Sequence, residues 1–269
     1  MGFVGVVAVG RFCFVHGLPL TPHRPSMSLT RAEALPTDPA THYRIRPPFY
    51  HSRWYYLNQL RQLVEWARDN YVLPLAKHQR IKLTDYGCGT KPYISIFKHE
   101  NIEYLGIDLA WNPHADIIIG SDSRIQTSDN LIDVVLSTQV LEHVEDPEGY
   151  LAEAYRILKP GGLLLLTTHG YWMYHPDPTD YWRWTSAGLQ KIVVRAGFEV
   201  VAFRGIIGRM GMGLQLFQDG LLYKLPPFLR PVAAVPLQFL IMIFDKLTTT
   251  KARDMDACTY LVVAQKALK

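Results

Sequence analysis

Seven short apolar segments alternate with amphipathic segments from residue 81 onward, and this alternation constrains the fold more than any other feature. The segments with strand character are residues 81–85, 102–108, 115–119, 132–138, 163–168, 198–203 and 259–264. Between them lie helical patterns with clear ends, because Asp146 and Thr185 can each cap a helix and Gly161 and Gly197 can each end one. Strands and helices that alternate at this spacing predict an α/β fold with a mainly parallel sheet.

The composition fits a globular protein of a reducing compartment. Apolar residues make up 48% of the 269 residues and charged residues 19%, which excludes an extended disordered chain. The three cysteines, Cys13, Cys88 and Cys258, are too widely spaced for a disulfide framework or a CxxC metal site. We therefore expect a cytoplasmic protein that holds no metal ion.

The sequence pattern divides the chain into five segments. Residues 1–40 are predicted to form a loosely attached or disordered tail, and residues 41–80 a helical segment with an amphipathic helix at 54–68. Residues 81–205 form the expected core, residues 206–256 an apolar helical insertion, and residues 257–269 the final strand and the C-terminus.

A glycine turn directly follows the first predicted strand. Residues 85–89 read DYGCG, and glycines there let the backbone turn sharply and approach a ligand closely. Ligands of open α/β sheets bind outside the carboxyl ends of the strands, where this turn must lie. Asp108 stands nineteen residues after Gly89, where a carboxylate can accept hydrogen bonds from both hydroxyls of a ribose. These features indicate a Rossmann-like domain that binds an adenosine-type cofactor.

The residues around the turn favour a cationic cofactor over a dinucleotide. A dinucleotide fingerprint has a third glycine where this chain has Pro92, and the carboxylate of Asp85 would repel a phosphate. A carboxylate suits an ammonium group instead. S-Adenosylmethionine carries that ammonium group, a sulfonium and no phosphate, so it is the predicted cofactor. Asp122 follows the third strand, where it can receive the adenine amino group.

Four motifs, in order, resemble those of class I S-adenosylmethionine-dependent methyltransferases of type 11. They are the turn at 85–89, Asp108, the stretch DVVLSTQVLEHVEDP at 133–147 and the stretch LKPGGLLLLTT at 158–168. The resemblance implies a seven-stranded, mostly parallel sheet with helices on both faces and an antiparallel last strand. One stretch departs from it, because residues 124–127 (RIQT) stand where many relatives have Leu-Pro-Phe.

The resemblance also implies which residues contact the cofactor. Asp108 would bind the ribose, Asp122 would lie near the adenine, and Gln139 would border the methionine portion. The full predicted set is Asp85, Tyr86, Gly87, Cys88, Gly89, Asp108, Leu109, Asp122, Ser123 and Gln139.

The loop after the fifth strand, residues 169–185, is predicted to bind the methyl acceptor. It is dense in aromatic, His, Asp and Arg side chains, and its part 175–185 resembles bacterial methyltransferases linked to cell-surface glycans and lipids. A hydroxyl acceptor is helped by a base, and His169 and His175 are the candidates because histidine titrates near neutral pH. The predicted acceptor-binding residues are His143, Tyr171, Asp180, Tyr181 and Arg183. We therefore expect O-methylation of a glycan, a lipid-linked molecule or another small acceptor.

The insertion at 206–256 is unusually apolar for a connection between two strands. Its apolar runs stop short of the ~20 residues that a membrane-spanning helix needs. We expect helices that lie on the inner face of a membrane or form a lid, and ordinary helices packed on the core are the alternative. Residues 1–80 carry ten Lys or Arg against four Asp or Glu, which favours an anionic surface or an acidic substrate. No nucleic-acid-binding signature accompanies this charge, so no nucleic-acid partner is expected.

Two other functions stay open at this stage. A nicotinamide-dependent dehydrogenase would share the fold, although Pro92 and Asp85 count against it. A binding protein that keeps the methyltransferase fold without turnover is compatible with every predicted cofactor contact.

Overall fold

The described part of the chain, residues 43–120, 122–176 and 179–268 of a computed structural model, contains one seven-stranded sheet. Its strands are β1 (Ile81–Tyr86), β2 (Ile102–Leu109), β3 (Ile117–Ile119), β4 (Ile132–Thr138), β5 (Leu158–His169), β6 (Phe198–Gly208) and β7 (Ala257–Lys266). Their order is β3-β2-β1-β4-β5-β7-β6, with β1 to β5 parallel and β7 antiparallel to both neighbours. The predicted fold class is thus confirmed. The predicted tail, residues 1–40, lies outside the described residues.

The strands β5 and β6 extend furthest beyond their predicted limits. β5 begins at Leu158, which pairs with Ile132 ahead of a register shift, so Gly161 lies inside a strand rather than at a helix end. β6 continues past residue 205 to Gly208, which pairs with Ala257 of β7. Backbone hydrogen bonds to a neighbouring strand extend β5 and β6 past the residues whose side-chain pattern is strand-like. The side-chain pattern of consecutive residues does not show where such pairing ends.

Helical elements precede and separate the strands. They are α1 (Trp54–Ala67), a π-helical turn (Arg68–Val72), α2 (Leu73–Ala76), α3 (Pro147–Ile157), α4 (Ser186–Arg195), α5 (Arg209–Lys224), α6 (Arg230–Lys246) and α7 (Thr250–Met255). The side chains of Asp146 and Thr185 accept the backbone N–H groups of Gly149 and Gly188, each at 3.0 Å, which confirms both predicted caps. Turns, rather than a helix, occupy most of residues 90–101 between β1 and β2.

Helices cover both faces of the sheet because neighbouring strand residues point in opposite directions. Val134 and Leu136 of β4 join a core cluster with residues of α1, α5 and α6. Val135, between them, belongs to a second cluster with residues of α3 and α4. The helical layers keep the carboxyl ends of the parallel strands free at one edge.

The insertion is helical and docks on α1 through buried polar groups. The side chain of Gln238 in α6 accepts the backbone N–H of Tyr55 at 2.8 Å and donates to the carbonyl of Ser52 at 2.8 Å. Asp245 accepts the Tyr55 hydroxyl at 2.8 Å and the backbone N–H of Gly208 at 2.8 Å. Among the described residues, the structure has no helix that is both long and apolar enough to cross a membrane.

Candidate active site

A cavity of about 1120 Å³ opens at the carboxyl ends of β1, β2, β4 and β5. Its wall includes the glycine turn and Asp108 on the β1–β2 side and His169 on the β5 side. Pockets for one drug-sized ligand measure roughly 300–1,000 Å³. The cavity therefore has room for a cofactor and a second molecule side by side.

The glycine turn needs its glycines for two different reasons. Gly87 has φ +79° and Gly89 has φ +51°, in the left-handed region that favours glycine. A Cβ atom on Gly87 would also lie 2.6 Å from a methyl carbon of Val140, so the turn packs tightly on the segment after β4. Cys88 between them is buried, and burial raises the pKa of its thiol, which keeps it protonated and unreactive.

Asp108 at the end of β2 is held by three donors. Its Oδ2 accepts the backbone N–H of Gly89 at 2.8 Å and the Nδ2 of Asn112 at 2.6 Å, and its Oδ1 accepts the backbone N–H of Leu109 at 2.8 Å. Asn112 also donates to the carbonyl of Gly89 at 2.8 Å. These bonds fix the carboxylate while it still borders the cavity. The sequence reasoning missed Asn112, whose only signal was an amide four residues beyond Asp108.

The next part of the wall is suited to a flat ring. Leu109, Asp122 and Ser123, all predicted, line the cavity together with Trp111 and Ile119, which were not predicted. Apolar side chains from two neighbouring strand ends and an acidic group suit an adenine, which has two apolar faces and an amino group.

Tyr86 of the turn supports this region from one side. Its ring stacks on Tyr150 of α3 at a centroid distance of 4.0 Å, and its hydroxyl donates to the carbonyl of Ser123. Both tyrosines line the cavity. Tyr86 therefore couples the glycine turn to the loop that carries Asp122.

Asp85 is buried in the sheet and does not line the cavity, and its contact with the cofactor stays a prediction. Burial raises the pKa of Asp85 to about 7, and the Tyr104 hydroxyl that donates to it offsets part of the rise. Its Oδ1 has no hydrogen-bond partner among the described residues. Asp85 is electrostatically coupled to Asp108 and Arg44, both of which line the cavity.

Gln139 and Tyr56 mark the passage toward the β5 side. The backbone of Gln139 has φ +58°. The Nε2 of its side chain donates to Thr167 Oγ1 at 3.1 Å, and its Oε1 accepts the Tyr56 hydroxyl at 3.0 Å. Tyr56 belongs to α1, so the N-terminal helical segment contributes to the cavity wall. The ring of Trp172 lies 4.6 Å from that of Tyr56, and Arg53 stacks on Trp172 at 4.5 Å.

Three histidines gather at the β5 side of the cavity. The ring centroid of His175 lies 4.9 Å from that of His143 and 5.1 Å from that of His169. Burial lowers the pKa of His169 well below its ordinary value and also lowers the pKa of His175. Both imidazoles are therefore neutral near pH 7. His143, whose Nδ1 lies 2.7 Å from the carbonyl of Thr179, lines the same wall.

Glu142 completes this group, although no sequence pattern singles it out. It is fully buried in the 3-10 turn after β4, and burial raises the pKa of its carboxyl. Its Oε2 accepts the Thr168 hydroxyl at 2.8 Å, and its Oε1 lies 3.4 Å from Nε2 of His169. Only the fold brings the end of β4 beside the end of β5.

The predicted acceptor loop divides into residues that line the cavity and residues that shape the loop. Tyr181 lines the cavity, whereas Tyr171, Asp180 and Arg183 do not. Tyr171 turns outward, and its hydroxyl donates to Asp256 at 2.8 Å. Asp180 is bound by Arg183 and lies 3.1 Å from Nδ1 of His175, so this ion pair fixes the loop. Direct contact of these three side chains with the acceptor stays a prediction, because side-chain type alone does not show which way a loop residue faces.

The sheet order and the Asp108 site together define the class: an α/β protein that binds an adenosine cofactor beside an acceptor pocket. Residues 56–202, more than half of the chain, match the family described as methyltransferase domain. The chain therefore belongs to this methyltransferase family. The family assignment decides against the nicotinamide-dependent dehydrogenase.

The curated relatives are similar over part of their length. A probable S-adenosylmethionine-dependent methyltransferase of Mycolicibacterium smegmatis is 30% identical over 106 residues, 37% of this chain and 41% of the relative. A ubiquinone biosynthesis O-methyltransferase of Cereibacter sphaeroides is 34% identical over 125 residues, 42% of this chain and 51% of the relative. The chain thus matches about half, or less, of the length of these relatives.

Solved structures are similar in fold. The cyclase SpnF has a TM-score of 0.52 at 20% identity, covering 77% of this chain and 81% of that structure. A putative sarcosine dimethylglycine methyltransferase from Galdieria sulphuraria has a TM-score of 0.51 at 12% identity, covering 78% and 88%. One of these two proteins is named for a cyclisation, so the fold by itself does not identify the acceptor.

Proposed function

We propose that this methyltransferase methylates a hydroxyl oxygen of a small apolar acceptor, either lipid-linked or part of a lipid-linked glycan. The observation that carries the proposal is the single cavity that joins the Asp108 side to the neutral imidazoles of His169 and His175. Aromatic rings of Tyr56 and Trp172 wall the space between them. Such a wall suits an apolar or ring-shaped acceptor better than a small charged amine.

The protein groups on the cofactor side of the cavity suit S-adenosylmethionine. The fixed carboxylate of Asp108 suits the two ribose hydroxyls, and the left-handed glycines let the backbone lie against the ligand. Gln139 borders the portion between ribose and acceptor. When bound, the cofactor supplies an activated methyl group on a sulfonium. Since alignment provides much of the rate of such transfers, the rigid turn serves both to bind and to orient.

The acceptor side offers His169 and His175 as the groups that activate a hydroxyl. Both are neutral near pH 7 and line the cavity, so both present ring nitrogens that can receive or compensate the departing proton. His143 and Tyr181 border the same space and are the proposed acceptor contacts. The O-methyltransferase named among the relatives acts in ubiquinone biosynthesis, which supports an oxygen atom as the acceptor.

Labelled methyl transfer tests this function. The purified chain is incubated with methyl-labelled S-adenosylmethionine and, in separate arms, with a total lipid extract or a water-soluble metabolite extract. We expect label in the lipid arm, in a methyl ether that survives mild base. An Asp108→Ala variant serves as the negative control. Label that appears only in the water-soluble arm, or in neither arm, would contradict the proposal.

We further propose that the α5–α6 hairpin rests on an anionic membrane surface and brings the cavity to its acceptor. Its exposed apolar side chains are Met210, Leu216, Phe217, Leu221, Tyr223, Phe228, Leu229, Val232, Phe239, Leu240 and Ile243. Two acids occur between residues 209 and 251, and both turn inward: Asp219 toward Arg53 and Asp245 toward Arg253. The basic residues of this range are all exposed: Arg209, Lys224, Arg230, Lys246 and Lys251. Exposed apolar groups among positive charges suit an anionic interface.

Vesicle flotation checks the membrane proposal. We expect the chain to float with vesicles that contain an anionic lipid, and a Tyr223→Glu, Phe228→Glu double variant to lose about tenfold of the bound fraction. These side chains are 84% and 75% exposed, so folding should be unaffected. Val194→Glu is the matched control, since Val194 is an exposed apolar residue on α4, on the opposite face of the sheet. Equal flotation of the double variant and the wild type would contradict the membrane proposal.

A further inference from the structure

Three side chains from separate segments converge at the β5 side of the cavity. One nitrogen or oxygen atom from each of Glu142, His169 and His175 lies within 4.8 Å of the other two. Glu142 follows β4, His169 ends β5 and His175 lies in the next loop. His169 and His175 also line the cavity, so their convergence point adjoins the acceptor space.

Glu142 has a buried oxygen atom that no other group satisfies. The residue has no exposed surface, and its Oε1 has no hydrogen-bond partner among the described residues. The nearest polar atom recorded for it is Nε2 of His169, at 3.4 Å. A buried carboxylate oxygen without a partner is costly, and a cation in front of it would remove that cost.

The two histidines are oriented in the manner of metal ligands. Nδ1 of His169 lies 3.1 Å from Thr259 Oγ1, and Nδ1 of His175 lies 3.1 Å from Asp180 Oδ2, which leaves the second ring nitrogen of each available. Metal-binding histidines are commonly held in this way through the nitrogen that does not bind the metal. In a tetrahedral site with bonds of about 2.0–2.1 Å, ligand atoms lie about 3.3 Å apart. The observed 3.4 Å between His169 and Glu142 is close to that separation.

We propose that Glu142, His169 and His175 bind one divalent transition-metal cation, such as Zn²⁺. Two imidazoles and one carboxylate leave a coordination position open, as catalytic zinc sites do. This position adjoins the acceptor space, where a bound cation would coordinate the acceptor hydroxyl and ease the loss of its proton to water. The inference rests on the proposed function and changes the part of His169 and His175 in it: they would hold the cation, and water rather than a ring nitrogen would take the proton.

A second triad, His143, His175 and Asp180, also has ligand atoms within 4.8 Å of one another. Asp180 is already bound by Arg183 and by the backbone N–H of His175 at 2.9 Å. Its charge is therefore compensated without a cation. The triad that contains the unsatisfied oxygen of Glu142 is the one that needs a metal ion.

Zn²⁺ alone is the probe for this site. Chelator-treated full-length protein is titrated with Zn²⁺ by calorimetry, and its thermal unfolding is measured with and without Zn²⁺. We expect one equivalent bound and a higher unfolding temperature with Zn²⁺. Glu142→Gln and His175→Ala should each weaken Zn²⁺ binding by roughly 100-fold and lose the thermal shift. His78→Ala, at an exposed histidine before β1, is the matched control and should bind as wild type does.

The Glu142→Gln variant distinguishes loss of the metal site from loss of the fold. Glutamine keeps an acceptor for the Thr168 hydroxyl and removes a buried charge, so the metal-free variant should unfold at no lower temperature than metal-free wild type. Equal Zn²⁺ affinity in wild type and Glu142→Gln, or binding in neither, overturns the metal site and leaves the proposed O-methylation standing. Zn²⁺ binding that needs Glu142, together with failed labelled transfer, upholds the site and overturns the proposed function.

Discussion

Replacing Asp108 with alanine should weaken S-adenosylmethionine binding by about 100-fold or more. A hydrogen bond to a charged group contributes about 1.5–3 kcal/mol. Under the proposed function the carboxylate accepts two such bonds from the ribose, and a loss of about 3 kcal/mol corresponds to roughly 100-fold in affinity. Asp108 also holds the backbone N–H of Gly89 and the side chain of Asn112, so the glycine turn loses support at the same time. Calorimetric titration with the cofactor measures the change.

Two further variants separate a binding role from a charge effect. Asp69→Ala removes the same charge at an exposed side chain that pairs with Arg68, neither of which lines the cavity, and it should bind the cofactor normally. Asn112→Ala should show an intermediate loss, because it removes one of the three donors that fix Asp108. Affinity that survives Asp108→Ala would mean that this carboxylate does not bind the ribose.

Replacing His175 with alanine should lower turnover by about 100-fold or more while cofactor affinity stays within about twofold. Assistance to proton removal contributes typically 10²–10⁴-fold, and His175 lies on the acceptor side of the cavity, away from Asp108. His175 is the sharper target of the two histidines because it is partly exposed, whereas His169 is buried against Trp172. Single-turnover kinetics with saturating cofactor measure the effect.

The pH profile provides a second readout of the same group. Burial lowers the pKa of His175 below its ordinary value, so its neutral form should prevail near neutral pH and be lost on acidification. Wild-type turnover should therefore be level near neutrality and fall at acid pH, and His175→Ala should lose that acid limb. Unchanged turnover in both His169→Ala and His175→Ala would exclude activation of the acceptor by these histidines.

Local sequence patterns determined the elements of the sheet and one half of the site. Apolar periodicity located all seven strands, and Asp146 and Thr185 located two helix starts, because caps and periodicity are properties of consecutive residues. The glycine turn and Asp108 could be assigned from spacing, since the carboxyl ends of adjacent parallel strands meet at one edge. The apolar excess of residues 206–256 also marked the insertion before any contact was known.

Only the tertiary structure decided which side chains face the cavity and which support it. Asp85 belongs to the glycine-turn motif yet lies inside the sheet. Asp180 belongs to the acceptor loop, and its carboxylate forms an ion pair with Arg183. Glu142 and Tyr56 carried no local signal, because their roles depend on partners 26 and 83 residues away along the chain. The sequence predicted no metal ion, since metal motifs are recognised by short spacings, whereas Glu142, His169 and His175 meet only where β4 and β5 lie side by side. Strand order, which no local pattern encodes, creates that meeting point.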